Sequence, residues 1–197
     1  MSVAPRDLTA FILAGGNSTR MGTDKAFVML DGRTLLARAL DLCRTIASDV
    51  RIVGHSKKFA PFAPALEDVF PGCGPLAGIH AALRASQTDL NLVLAVDLPF
   101  VSPALLHCLL AHARDSGAVV TVPRAGKGWQ PLCAVYRRAF ADPAEKALLA
   151  GRYKIDALFD PALTRTVGEE DLRSAGFSPE IFRNLNTPEE LAEARNS

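Results

Sequence analysis

The chain has 197 residues, with 22 Lys plus Arg against 21 Asp plus Glu, a formal net charge of +1. At this length about 70% of the unfolded chain's surface can be buried, and 49% apolar residues supply a core without disulfides. Near-neutral charge excludes indiscriminate electrostatic binding of nucleic acid, which leaves room only for a local basic site. The first residues lack a basic segment followed by an apolar one, so no secretory signal is expected. No apolar run approaches the roughly 20 residues of a membrane span, and Leu92–Val96 is strand-sized. The four cysteines (Cys43, Cys73, Cys108 and Cys133) form no CxxC pair, and each reads as a small buried side chain in a reducing compartment. The expectation is one cytoplasmic domain over residues 1–197, flexible over residues 1–7, with neither nucleic acid nor membrane as partner.

In chain order, Leu8–Leu13 predicts a buried strand that runs into a Gly-rich loop. After the turn pair Asp31-Gly32, apolar residues recur at Leu35, Leu36, Ala39, Leu40, Cys43 and Ile46, a helical spacing. Val50–Val53 reads as a strand, and Pro75–Ala85 as a helix opened by Gly74-Pro75. The strand Leu92–Val96 stops at Asp97-Leu98-Pro99. A helix then starts at Ser102 as N-cap and Pro103 in the first turn. Ala118–Val122 and Leu132–Tyr136 read as strands, Asp142–Leu158 as surface helix, and Glu169–Arg173 as a solvated face. Alternating strands and helices predict an α/β fold with a parallel sheet.

The loop after the first strand reads LAGGNSTRMGTDKA over Leu13–Ala26. In such a sheet this is where ligands sit. Gly15 and Gly16 let backbone amides approach a ligand and allow positive φ. Arg20 offers a bidentate cation and Lys25 a compact one, a pairing suited to polyphosphate. The spacing is neither a Walker A nor a GxGxxG motif.

This stretch resembles the signature of nucleotidyltransferases with a GT-A-like fold, and most closely that of the molybdenum cofactor guanylyltransferases (MobA proteins). GPLAGI (Gly74–Ile79), VDLPF (Val96–Phe100), WQPL (Trp129–Leu132) and NLNTPEEL (Asn184–Leu191) resemble the same family in the same order. The resemblance implies a Rossmann-like three-layer sandwich with a mostly parallel central sheet, as in nucleotide-diphospho-sugar transferases. It also implies transfer of GMP from GTP to molybdopterin, with Mg2+ as cofactor. GTP contacts carry over to Leu13, Ala14, Gly15, Gly16, Lys25, Asp68 and Asp97, and catalytic roles to Arg20, Lys25 and Asp97. Transient contacts with other cofactor-biosynthesis proteins or molybdoenzyme chaperones are implied as well.

Position alone leaves Asp97 open between a metal ligand at a strand's carboxyl end and an Asp that caps a turn. The resemblance implies that Asp97 holds Mg2+. Asp68, beside Gly72-Cys73-Gly74, can accept from a guanine edge or ribose, or can be an exposed loop carboxylate. One position departs from the family: where its members carry a nucleotide-binding Asn, this chain has Gly54, followed by His55. Asn184 and Asn186 alternate along an extended segment and so face one side. Thr187–Glu190 fits a capping box. The resemblance places the two asparagines near metal and pterin. Trp129 suits either stacking on a pterin ring, with Gln130 hydrogen-bonding beside it, or core packing. His107 and His112 are five apart, wrong for a zincin pair.

Three competing readings remain. A pterin cytidylyltransferase more often reads LAAG where Gly16 stands here. A sugar-phosphate or cobinamide nucleotidyltransferase is a second reading. A non-catalytic nucleotide-binding module is the third, and it would not need Arg20, Lys25 and Asp97 together.

Overall fold

The computed structural model describes residues 7–15, 24–126, 128–185, 190, 191 and 193. The expected flexible leader therefore lies, apart from Asp7, outside the described residues, as does the proposed capping box apart from Glu190. β1 (Leu8–Leu13) is buried at all six positions. A turn at Lys25–Phe27 leads to a hairpin of β2 (Met29–Leu30) and β3 (Arg33–Thr34), closed by Asp31-Gly32 with both φ angles positive. Thr34 caps α1 (Leu35–Arg44) through its hydroxyl, which accepts from Ala37 N–H at 3.1 Å. β4 (Asp49–Val53), the short α2 (Ser56–Phe59), β5 (Ala65–Leu66) and α3 (Pro75–Ala85) follow. β6 (Leu90–Ala95) begins two residues before the expected strand and ends one residue earlier. Val96 N–H makes the last bond of the β1–β6 ladder, to Leu13 C=O at 3.1 Å, and the chain then turns as Leu98 N–H donates to Ala95 C=O at 3.4 Å.

α4 (Pro103–Ser116) starts as predicted, with Ser102 accepting from Leu105 N–H at 3.3 Å. β7 (Val120–Ala125), β8 (Gly128–Trp129) and β9 (Cys133–Arg137) come next with no helix between them. α5 (Ala141–Leu149), β10 (Thr164–Val167) and α6 (Glu169–Ser174) complete the described elements. The expected surface helix over Asp142–Leu158 is corrected in two respects. It stops at Leu149, and Ala141, Ala144, Ala147 and Leu148 are buried. Glu169, Glu170 and Arg173 are exposed as expected, but Leu172 between them is buried.

The main sheet runs β10-β7-β9-β6-β1-β4-β5. β6, β1, β4 and β5 are mutually parallel, whereas β9 is antiparallel to both β6 and β7. The sheet is thus mostly parallel. β9 breaks the pattern because a short loop and hairpin joins it to β7, too short for a parallel crossover. Alternate residues of β1 feed two cores. Leu8, Ala10 and Ile12 pack with α1 and α4, while Phe11 and Leu13 pack with α3 and α5. Helices therefore cover both faces, and the carboxyl ends of β1, β4 and β6 share one edge.

Candidate active site

The parallel register brings the ends of β1 and β6 side by side, with Leu13 opposite Ala95. Lys25, just after the Gly-rich loop, and Asp97, two residues past β6, meet there with Nζ 3.2 Å from Oδ2. Both side chains are about one-fifth exposed, at 21% and 18%. Among the described residues no backbone amide donates to the Asp97 carboxylate, so the turn-capping reading is not what its oxygens do. That role falls to Asp24, the acidic residue of the Gly-rich signature. Its Oδ1 accepts from Ala26 N–H at 2.9 Å, and its other oxygen pairs with Lys58. Asp24 thus shapes the turn that presents Lys25.

Leu13 and Ala14 are buried at the strand end and Gly15 is exposed. The amides of Ala14 and Gly15 both donate to Val53 C=O, at 2.9 and 3.1 Å. The expectation of a free Gly15 amide and a positive φ is therefore not met: its N–H ties β1 to β4, and its exposed Cα surface is what remains for a ligand. Gly16 and Arg20 lie outside the described residues.

Gly54 sits against this junction. A Cβ there would stand 2.8 Å from Phe59 Cε2 and 3.2 Å from Gly15 N. Phe59 is fully buried and stacks on Phe27 with centroids 6.0 Å apart. The Phe59 ring takes the space a side chain at Gly54 would need, so the Asn expected from the resemblance does not fit here unless that ring moves. His55 is exposed, with Nδ1 3.8 Å from Glu67 Oε1. Glu67 also accepts from Ser56 N and Oγ, at 2.7 and 2.8 Å, and these bonds hold its carboxyl below the usual range. Asp68 follows β5, and its Oδ1 is buried without a hydrogen-bond partner. A carboxylate oxygen withheld from water and protein alike is costly unless a ligand satisfies it.

α3 follows Gly74 with no side-chain cap, but Pro75 carries no N–H and Ala77 N–H donates to Gly74 C=O at 3.1 Å, so little more than the Leu76 amide is left for an anion. Gly78 lets this helix lie close on the sheet, since a Cβ there would be 3.3 Å from Leu13 Cδ2. Asn184 is exposed and Leu185 fully buried, the alternation expected of an extended segment. Leu185 N–H donates to Asp97 C=O at 3.0 Å, which fixes Asn184 beside the metal candidate. Asn186 lies outside the described residues. Trp129 is half-buried, edge-on to Phe159 at 5.4 Å and under Arg124 at 5.4 Å, so its ring is largely committed to packing. Gln130 Nε2 donates to Ala125 C=O at 3.3 Å, a structural use of its amide. Of the remaining histidines, His107 is exposed and His112 lies beside Arg165.

A cleft of about 300 Å³ opens behind the Asp97 turn, lined by α1 and by Val96, Leu98, Pro99 and Val101. Its arginines are already paired, Arg33 with Asp41 and Arg38 with Asp31, and neither Lys25 nor Asp97 lines it. Among the described residues no three His, Cys, Asp or Glu side chains converge to cage a metal. Asp97 alone suits a hard ion held chiefly by phosphate oxygens and water, the usual arrangement for Mg2+.

A lysine–aspartate pair at the carboxyl ends of parallel strands, with a buried unpartnered carboxylate oxygen after the neighbouring β5, is an arrangement suited to handling a nucleotide's phosphates and base. The chain belongs to the MobA-like NTP transferase family, whose domain model matches residues 10–166. It is 37% identical over 190 residues to a molybdenum cofactor guanylyltransferase of Desulfosudis oleivorans, covering 95% of this chain and 94% of that one. A probable molybdenum cofactor guanylyltransferase of Pelotomaculum thermopropionicum is 34% identical over 95% of this chain and 91% of its own. Among solved structures, molybdopterin-guanine dinucleotide biosynthesis protein A of Archaeoglobus fulgidus superposes with a TM-score of 0.82 at 31% identity, covering 95% and 97% of the two chains. A 2-C-methyl-D-erythritol 4-phosphate cytidylyltransferase of Thermus thermophilus shares the fold, with a TM-score of 0.68 at 20% identity. The chain is therefore a nucleotidyltransferase acting on small molecules. No described helix is long and apolar enough to cross a membrane.

Proposed function

We propose that this protein transfers GMP from GTP to molybdopterin, free or molybdenum-loaded, forming the guanine dinucleotide form of the cofactor and pyrophosphate. The observation that carries this reading is the Lys25–Asp97 pair, 3.2 Å apart at the strand ends. A phosphate oxygen of the pterin attacks the α-phosphorus of GTP and forms a new P–O bond. The bond from that phosphorus to the α,β-bridging oxygen breaks, and pyrophosphate leaves with the electron pair.

The nucleophile needs no catalytic base, because a phosphate monoester with a second pKa of about 6 is already largely dianionic at neutral pH. The work left to the protein is to hold two anions together and to offset charge as it moves. Lys25 lies against the α-phosphate, and Arg20 neutralises the rest of the triphosphate. Asp97 would hold Mg2+, which when bound offsets phosphate charge. Leu13, Ala14, Gly15 and Gly16 form the floor under the nucleotide, and Asp68 accepts from guanine or ribose. Asn184 and Asn186 face the acceptor, with Trp129 and Gln130 bordering it from the β8 side.

The whole chain, residues 1–197, is read as one such domain working in the cytoplasm, where its four free thiols stay reduced. Its product then passes, through transient contacts, to cofactor-biosynthesis proteins or molybdoenzyme chaperones. Thermal-shift measurements with GTP, CTP and UTP, each with and without Mg2+, test the nucleotide assignment, since only a ligand that binds the native state raises Tm. GTP with Mg2+ is expected to stabilise most; stabilisation by CTP but not GTP would overturn the guanylyl assignment.

A further inference from the structure

The segment that carries Asn184 is fastened to the Asp97 turn at two points, one through the backbone and one through side chains. Leu185 N–H donates to Asp97 C=O at 3.0 Å, and the leucine side chain is fully buried below it. Two residues earlier, the Arg183 guanidinium carbon stands 4.7 Å from the centroid of the Phe100 ring. Phe100 is the third residue after Asp97 and packs, half-buried, on the same core that holds Leu185. Arg33, Arg84 and Arg137 all pair with carboxylates, whereas among the described residues Arg183 has no such ion pair and its partner is the ring.

We propose that Arg183 and Phe100 form a stacked clamp that sets the position of Asn184 relative to Asp97 and thereby the grip on the acceptor. This rests on the reading that Asn184 faces molybdopterin. Phe182 and Leu185, both buried, already hold the segment in the fold. The stack is therefore not needed for folding. What it adds is restraint on the one exposed residue between those anchors, from the same turn that presents the Asp97 carboxylate. Small misplacements of a substrate-positioning group cost far more in reaction than in stability. Both clamp members are positioning residues, for they act through Asn184 and Asp97.

The experiment measures KM for molybdopterin and for GTP separately, with melting temperature alongside, in Arg183→Gln, Phe100→Leu, the double variant, Phe100→Tyr and Asn184→Ala. Loss of a partly exposed cation–π contact is expected to raise the molybdopterin KM about fivefold in either single variant. The double variant should be no worse than either single one, the GTP KM should stay within about twofold of the parent, and Phe100→Tyr, which keeps the ring, should restore the molybdopterin KM. Arg183→Gln tests the clamp even if Phe100→Leu folds poorly, because Arg183 is not part of the core. An unchanged molybdopterin KM in Arg183→Gln, with a raised one in Asn184→Ala, would overturn the clamp and leave the acceptor reading standing. Effects that multiply in the double variant would overturn it too, because the two residues would then act independently. No effect in Asn184→Ala would remove the acceptor reading itself, and the clamp with it.

Discussion

Lys25 and Asp97 are 72 positions apart in the chain, yet Lys25 Nζ lies 3.2 Å from Asp97 Oδ2. The pair joins the segment after the Gly-rich loop to the turn after β6, at the strand ends where the triphosphate is proposed to bind. Lys25→Ala and Asp97→Ala are each expected to lower kcat by about 10²–10³-fold or more, the usual scale for losing one electrostatic group that acts on the transition state. Both variants should fold, because an ion pair near the surface contributes about 1 kcal/mol or less. Turnover measured alongside circular dichroism melting checks this, and near-normal activity in either variant would remove the assigned role.

Asp68 carries an oxygen that is buried and unpartnered while no ligand satisfies it. Asp68→Ala removes that cost, so the ligand-free protein is expected to melt no lower than the parent. The same variant should lose most of the GTP-dependent rise in Tm. A lower Tm without ligand, together with full GTP stabilisation, would make Asp68 a structural residue.

Gly54→Asn, which installs the residue the resembling family carries, meets Phe59 Cε2 at 2.8 Å from the new Cβ. Overpacking of this kind typically costs about 1–3 kcal/mol. Phe59→Ala alone leaves a cavity at a fully buried site, at about 3–5 kcal/mol. The double variant should be more stable than the sum of the two losses predicts, as expected of residues in direct contact. Urea denaturation of the four proteins measures the coupling, and simple additivity would contradict the contact.

His80, on α3, is buried against Phe70, with Nε2 accepting from Arg84 Nε at 3.4 Å and lying 3.7 Å from Glu145 Oε1. Burial pushes its pKa below the usual value; Glu145 opposes that shift and Arg84 adds to it. The folded state thus takes up a proton less readily than the unfolded one. Its contribution to stability is complete above about pH 6.5, the ordinary histidine value, and is lost as pH falls through the lowered folded-state pKa. Melting temperature is expected to drop between pH 7.5 and 5.5, with a shallower drop in His80→Gln. Equal slopes in the two proteins would assign the acid sensitivity elsewhere.

Much of this fold was legible locally. β1 and α3 were bounded correctly, and Ser102 with Pro103 marked the start of α4, because continuous apolar runs and caps are properties of adjacent residues. α5 was not legible as a buried helix. Its inward face is built largely from Ala141, Ala144 and Ala147, whose small side chains leave a weak periodic signal in a charged stretch. The antiparallel course of β9 was legible in the short connection after β7, but the strand–helix alternation elsewhere in the chain pointed to a parallel sheet throughout. At the site, Lys25 and Asp97 could be nominated from their motifs, but their pairing depends on the β1–β6 register. The Val53 carbonyl that occupies the Gly15 amide, the Phe59 ring over Gly54 and the Arg183 stack on Phe100 are tertiary contacts with no local signature. His80 gave no signal either, since a single histidine among the apolar residues of α3 reads as ordinary core.

If this site joins GMP to a pterin phosphate, pyrophosphate release measures that reaction directly. With Mg2+ present, release is expected from GTP only when molybdopterin is added, at a rate well above that with CTP or UTP, and it should vanish in Lys25→Ala. Release from CTP in preference to GTP, or release from GTP that does not depend on molybdopterin, would contradict the account.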